Sequence, residues 1–235
     1  MKRDAPALVL TTRCAGMGVS LDPAAAGHLV ALLDRLGLEE QNLTAIEGVD
    51  AGVDRHLADS LAALALPEVA GAPAAVDIGS GAGFPGLALA IARPGMVVTL
   101  VESERRKAEW LVRASAGCPN VRVVADRAET LAQREREAWP LAVARAVAPL
   151  PVLLELAAPL LAPDGHLVAW RASRAPDEES AAARACGHLG LSPVRVQPVH
   201  PFAGADRHLH VFRKTAPTPA RFPRRPGRAA KRPLA

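Results

Sequence analysis

The residues whose types and spacing could do chemistry concentrate in Asp77-Ile78-Gly79-Ser80-Gly81-Ala82-Gly83-Phe84-Pro85-Gly86. Glycines accept backbone angles barred to other residues and let a ligand approach the main chain closely. The segment follows the apolar run 74–78, which reads as a buried strand, and leads into a helical pattern over 86–92. A glycine turn between a strand and a helix aims backbone donors at a ligand. Gly81, Gly83 and Gly86 satisfy the G-x-G-x-x-G spacing of dinucleotide sites, so a dinucleotide-binding oxidoreductase is one reading. That fingerprint follows its strand at once, however, whereas these glycines start three residues beyond Ile78.

Taken from Asp77 through Gly79-x-Gly81-x-Gly83, the pattern resembles motif one of class I S-adenosylmethionine methyltransferases. Such a loop would lie under the amino-acid end of the cofactor, which needs backbone donors and room. Residues 97–101 read as a second strand ending in Glu102, a carboxylate able to accept hydrogen bonds from both hydroxyls of a ribose. An acid there also suits the start of the helix that follows. Asp126-Arg127-Ala128-Glu129 comes after a third strand, 121–124, the usual place in this fold for contacts to an adenine ring. A fourth strand, 141–144, runs into Arg145 on the edge facing the reaction site. An arginine beside a cationic methyl donor calls for a carboxylate or phosphate partner. Gly79, Gly81, Glu102, Ala128, Glu129 and Arg145 are therefore the expected cofactor contacts.

The same positions lack several kinds of machinery. No polar-Pro-Pro-aromatic signature for gripping an exocyclic amine follows the fourth strand, where Arg145-Ala146-Val147-Ala148 stands. Cys118 and Cys186 fall outside the strand ends where a nucleophilic thiol would be needed to methylate a pyrimidine carbon. No His or carboxylate cluster suggests deprotonation of a hydroxyl. A target already nucleophilic, such as the N7 lone pair of guanine, needs none of these, and positioning could carry the catalysis. No catalytic acid, base or nucleophile is assigned.

These residues have to be held by a scaffold. Short apolar strands alternating with helical stretches, including further strand candidates at 167–170, 194–199 and 208–212, read as an α/β fold with a mostly parallel sheet. The last two strands are close enough in sequence to be antiparallel neighbours at one edge. Ahead of them, Asp22-Pro23 caps a helix carrying Leu29, Leu32, Leu33 and Leu36 and ending at Gly37. A second helix is expected over 53–66. The expected organisation is a helical cap at 1–66, a Rossmann-like catalytic domain at 67–213 and a basic, Pro-rich tail at 214–235.

Composition agrees with that scheme. Half of the residues are apolar, which suits one globular α/β domain with appendages, and the longest apolar runs are too short and interrupted to span a membrane. The start, Met1-Lys2-Arg3-Asp4, lacks a signal-peptide apolar region. Three widely spaced cysteines, Cys14, Cys118 and Cys186, suit a reducing cytoplasm and form neither a disulfide framework nor a metal site. The net charge of +4 is unevenly distributed. Lys214, Arg221, Arg224, Arg225, Arg228, Lys231 and Arg232 give the tail +7 with no acid, leaving 21 cations against 24 acids, net −3, in the body. Five prolines favour extended structure in the tail, so an irregular arm that neutralises phosphates is expected.

From about Asn42 onward the chain resembles the bacterial 16S rRNA guanine-N7 methyltransferase family, also called glucose-inhibited division protein B. The anchors are Asn42-Leu43-Thr44-Ala45-Ile46, Arg55-His56-x-x-Asp59-Ser60, the glycine loop with its Phe84-Pro85-Gly86 extension, Arg127-Ala128-Glu129, Arg145-Ala146-Val147-Ala148 and the ending Phe222-Pro223-Arg224-Arg225-Pro226-Gly227. The resemblance implies a class I fold with a seven-stranded, mostly parallel sheet and an antiparallel edge. It implies S-adenosylmethionine as cofactor and 16S rRNA of the small ribosomal subunit as partner, with no membrane and no metal. It adds Phe84 to the expected cofactor contacts, gives His56 a substrate-facing role, and suits RNA binding by Arg224, Arg225, Lys231 and Arg232. Arg55 and Asp59, at i and i+4, are expected to pair. The chain departs from the family at Leu38-Glu39-Glu40-Gln41, where a Trp-Asn pair is common, and at Trp170-Arg171-Ala172, where Lys-Gly is common. A catalytically silent RNA-binding assembly factor remains the non-enzymatic alternative.

Overall fold

The computed structural model describes residues 4–39 and 43–234; Glu40, Gln41 and Asn42, named above, lie outside them. Helix α1 (Asp4–Gly16) precedes α2 (Pro23–Gly37), whose start is held by Asp22: its carboxylate accepts the Ala24 and Ala25 N–H groups at 2.8 and 3.1 Å. The apolar stripe of α2 buries Leu29, Leu32, Leu33 and Leu36, each worth about 1.5–3 kcal/mol. The helix expected over 53–66 is compound. It begins with α3 (Val49–Gly52), widens into a π-helical turn (Val53–Ala58), and continues through α4 (Asp59–Leu61) to a 3-10 turn (Ala62–Ala65). In the π turn the Asp59 N–H reaches the Asp54 carbonyl, five residues back. A short α5 (Pro67–Ala70) leads to the sheet.

The sheet comprises β1 (Ala74–Ile78), β2 (Val97–Val101), β3 (Val121–Val124), β4 (Trp139–Arg145), β5 (Leu161–Arg171), β6 (Leu191–Val199) and β7 (Arg207–Lys214). Helices α6 (Gly86–Ala92), α7 (Arg105–Ala114), α8 (Ala128–Arg134), α9 (Leu150–Ala157) and α10 (Pro176–Leu189) connect the strands. The order is β3-β2-β1-β4-β5-β7-β6, parallel except for β7, which runs antiparallel to both β5 and β6. This is the α/β arrangement expected, including its antiparallel edge.

Period-two alternation sends side chains to two cores. Ala75, Leu141, Val143, Val168 and Trp170 face the layer built with α1, α2 and α6, while Val76, Ile78, Ala142, Ala144 and Ala169 face α8, α9 and α10. The N-terminal helices thus share one hydrophobic layer with the sheet. Trp110 and Trp139, both expected to pack from helical stretches, are buried, Trp110 in α7 as expected but Trp139 at the start of β4 and not in a helix. No helix among the described residues is long and apolar enough to cross a membrane.

The tail differs from a free arm. Lys214 closes β7 and is 1% exposed, its Nζ donating to the Ala158 carbonyl at 2.7 Å and pairing with Glu137. Phe222 is buried in the second core, and the four-residue α11 (Arg228–Lys231) follows Gly227.

Candidate cofactor and substrate site

The strand order reverses at β1, whose neighbours are β2 and β4, and ligands in open α/β sheets bind at such a switch point beyond the carboxyl ends of the strands. Gly79, Gly81 and Gly83 in the loop after β1 have φ of 68°, 55° and 108°, the region that favours glycine. A Cβ on Gly79 would meet Val147 Cγ2 at 2.9 Å. Gly86 N–H donates to Asp77 Oδ2 at 3.0 Å, Gly81 N–H to Glu102 Oε2 at 2.9 Å, and Gly83 N–H to the Ser80 carbonyl at 2.8 Å. The three glycines of the dinucleotide spacing therefore spend their donors on the protein itself. Glu102 is 8% exposed and also accepts the Glu104 N–H, so it braces the glycine turn from the end of β2. Asp77 is fully buried, and burial pushes its carboxyl up to about 7 against the Gly86 hydrogen bond.

A cavity of about 260 Å³ opens beside this loop, lined by Gly79, Val101, Asp126, Ala128, Glu129 and Val147 among others. Of the expected cofactor contacts, Gly79, Ala128 and Glu129 line this cavity together, while Gly81 and Glu102 do not line it and are joined to each other by their hydrogen bond. Ala146, just before Val147, has φ 57°, a strained angle for a residue with a side chain.

Phe84 and Arg145 belong to a neighbouring cluster. Phe84, 5% exposed, stacks on His56 with centroids 4.4 Å apart and planes 13° from parallel, and the Arg145 guanidinium lies 5.7 Å from the Phe84 ring centroid. Arg145 donates to Asp59 Oδ2 at 2.8 Å, to the Arg55 carbonyl at 3.0 Å and to His56 Nδ1 at 3.2 Å. The carboxylate sought for Arg145 is thus Asp59, which Arg207 also approaches at 3.4 Å. The expected Arg55–Asp59 pair is replaced: the π turn widens the helix between them, leaving the Arg55 side chain exposed and Asp59 4% exposed.

Arginine can only donate, so His56 Nδ1 is the acceptor and Nε2 carries the hydrogen, which it donates to Thr44 Oγ1 at 2.9 Å. Burial and the Arg145 charge push His56 down to about 4, so the ring is neutral near pH 7. Thr44 Oγ1 also accepts the Ile46 N–H at 3.1 Å, which leaves its own hydroxyl hydrogen to donate elsewhere. Thr44 and His56 line a larger cavity, about 760 Å³, between α2 and residues 43–56. Arg171 is committed elsewhere, donating to the Ala148 carbonyl and to Glu178.

Among the four cations expected on RNA, Arg225, Lys231 and Arg232 are exposed. Arg224 instead donates through both Nε and an NH2 group to Glu155, which is 2% exposed, so its charge serves the fold. The sequence pattern gave Val147 only as part of the Arg-Ala-Val-Ala anchor, and carried no signal for its place against Gly79, for Thr44 as the histidine's partner, or for the approach of Gly227, Ala229 and Ala230 to the cavity. Val147 meets Gly79, and Gly227 meets Glu129, across long stretches of chain, whereas Thr44 lies near His56 in sequence but in a segment without regular structure, where only the Asn-Leu-Thr anchor singled it out. No group of His, Cys, Asp and Glu among the described residues is arranged to hold a metal.

The profile of the family described as GidB, rRNA small subunit methyltransferase G, matches residues 24–210. Over 224 residues the chain is 41% identical to the ribosomal RNA small subunit methyltransferase G of Deinococcus radiodurans, covering 93% of this chain and 88% of that one. It is 46% identical to the protein of the same name from Chloroflexus aggregans over 198 residues, 82% of each chain. Among solved structures it is similar to the Burkholderia thailandensis 1,6-didemethyltoxoflavin-N1-methyltransferase with bound 1,6-didemethyltoxoflavin and S-adenosylhomocysteine, at TM-score 0.54 and 20% identity over 80% of this chain and 88% of that one. It is also similar to a variant of the 16S rRNA (adenine(1408)-N(1))-methyltransferase from Catenulisporales acidiphilia, at TM-score 0.53 and 18% identity over 64% of this chain and 89% of that one. At such identities the likeness to solved structures is one of fold, that of class I methyltransferases.

Proposed function

The chain belongs to the rRNA small subunit methyltransferase G family, and on that premise we propose that it methylates N7 of one guanine in 16S rRNA, using S-adenosylmethionine. The observation that carries the reading is the cavity between Gly79, Ala128 and Glu129 at the switch point of the sheet. A nucleoside cofactor fits its chemistry: Gly79 lines the cavity without a side chain, a Cβ there having no room beside Val147, and Glu129 offers a carboxylate to hydrogen-bond donors. Gly79, Gly81, Phe84, Glu102, Ala128, Glu129 and Arg145 would hold the cofactor, Gly81 and Glu102 by shaping the loop, and Phe84 and Arg145 by fixing the wall toward His56. When bound, S-adenosylmethionine supplies an activated methyl group on a sulfonium.

The protein's own task is then to bind and orient. N7 of guanine carries a lone pair and no proton, so an in-line attack requires no general base. The buried groups agree with that economy. His56 is neutral with both ring nitrogens engaged, and Asp59 answers two arginines. Burial pushes the Cys14 thiol up to about 11 and that of Cys186 to about 12, which makes them poor nucleophiles. The stacked His56 and Phe84 would keep water from the methyl donor's side of the wall, while Arg225, Lys231 and Arg232 would contact rRNA phosphates. An rRNA substrate implies action in the cytoplasm.

The test is transfer from methyl-labelled S-adenosylmethionine to 16S rRNA or small subunits, followed by mapping of the modified base. N7-methylguanine at one position is expected. Label at any other atom, or tight NAD binding with no methyl transfer, would overturn the reading, and RNA binding without transfer would support the silent assembly factor.

A further inference from the structure

The C-terminal residues return to the cofactor cavity by a series of specific anchors. Arg136 donates to the carbonyls of Thr218 and Phe222, the latter at 2.6 Å. Arg224 grips Glu155 on α9 and also donates to the Arg232 carbonyl at 2.8 Å, closing the segment 224–232 into a loop. Within it Gly227, with φ 76°, donates its N–H to Glu129 Oε1 at 2.9 Å. Gly227, Ala229 and Ala230 then face the cavity alongside Gly79 and Ala128. Arg225, Arg228, Lys231 and Arg232 are exposed on the same loop, without an ion-pair partner among the described residues.

We propose that residues 227–230 form the outer wall of the cofactor's nucleoside subsite and thereby couple cofactor binding to rRNA binding by the cations of the same loop. The inference rests on the methyltransferase reading above. Three features carry it. Gly227, Ala229 and Ala230 bring only backbone and methyl groups to the cavity lining, which leaves room for the face of a heteroaromatic base. Their backbone occupies one oxygen of Glu129, and no donor among the described residues is bonded to the other, which is left for an amino hydrogen of a purine. The third feature is that a four-residue helical turn carries both the cavity-lining alanines and the exposed Arg228 and Lys231. A ligand that packs against the wall orders the cations, and by reciprocity RNA held by the cations favours the ligand by the same factor.

Calorimetric titration of S-adenosylhomocysteine tests the wall. The full chain should bind it, while truncation after Pro226, which keeps Phe222 and the Arg224–Glu155 pair, should weaken binding about tenfold by removing apolar cover. Ala230→Trp keeps the chain length and every cation, so it guards against a truncation that unfolds; it should also weaken the ligand. Equal affinity in the full chain and in both variants would overturn the wall. Failure of the full chain itself to bind would strike the methyltransferase reading instead. For the coupling, saturating S-adenosylhomocysteine should tighten binding of a 16S rRNA transcript to the full chain about fivefold, and the Arg225→Ala/Lys231→Ala/Arg232→Ala variant should lose that gain while still binding S-adenosylhomocysteine. An RNA affinity indifferent to the ligand would overturn the coupling.

Discussion

Burial pushes His56 down from 6.5 to about 4 and Asp77 up from 3.8 to about 7, so the two groups act on stability with opposite signs. The unfolded chain binds the histidine proton more readily, so the His56 contribution is present above 6.5 and is lost as pH falls toward 4. The folded chain binds the Asp77 proton more readily, so its contribution is full below 3.8 and is lost as pH rises toward 7. Between about 4 and 6.5 the two slopes offset. Asp77→Asn should therefore make the melting temperature climb more steeply with pH across that window than it does in the wild type, while His56→Gln should make it fall. Parallel melting curves for all three proteins would refute the assignment. At Gly79, alanine adds a Cβ 2.9 Å from Val147 at a φ of 68°, so Gly79→Ala should cost about 1–2 kcal/mol of stability and weaken S-adenosylhomocysteine more than tenfold in a binding titration. Thr44→Val removes the acceptor for His56 Nε2–H and leaves a buried donor unpaired, worth about 1–3 kcal/mol in chemical denaturation.

At the scale of elements, long-range polar clamps supplement the apolar layers. Glu155 on α9 is almost wholly buried and depends on Arg224. Arg224→Ala should destabilise the protein by about 3 kcal/mol, because it strands a buried carboxylate, whereas the double change Glu155→Leu/Arg224→Met should recover most of that loss. Denaturant melts of the three proteins decide it, and a double variant no better than the single one would sink the argument. The strands and α2 were legible because their patterns are local: period two or short apolar runs for strands, an Asp-Pro cap and a leucine stripe for the helix. Helix α1 escaped because, among its residues whose burial is described, only Leu10 and Cys14 are fully buried, which leaves too sparse a stripe to read. The π turn escaped because nothing in Val53-Asp54-Arg55-His56 distinguishes it from α-helix; it is selected by the partners it meets, Arg145 and Phe84.

For the whole molecule, the charge division of −3 and +7 remains, but its meaning is altered. Lys214 and Arg224 are internal to the fold, so removing residues 214–235 would damage the second core before it tested any RNA binding. The discriminating variant is Arg225→Ala/Lys231→Ala/Arg232→Ala, which leaves those anchors intact. Its rRNA affinity should fall, and the slope of log affinity against log salt should shrink by about 0.7 for each phosphate of single-stranded RNA that is no longer neutralised. An unchanged slope would make the loop a bystander to RNA. The sequence by itself determined the α/β class, the glycine loop, the acid after β2 and the family, because those signals reside in neighbouring residues and their spacing. Only the tertiary structure decided that Asp59 answers Arg145, that His56 is neutral with one defined tautomer, and that Gly227 meets Glu129, since each depends on desolvation and on contacts across 86 to 98 positions of chain.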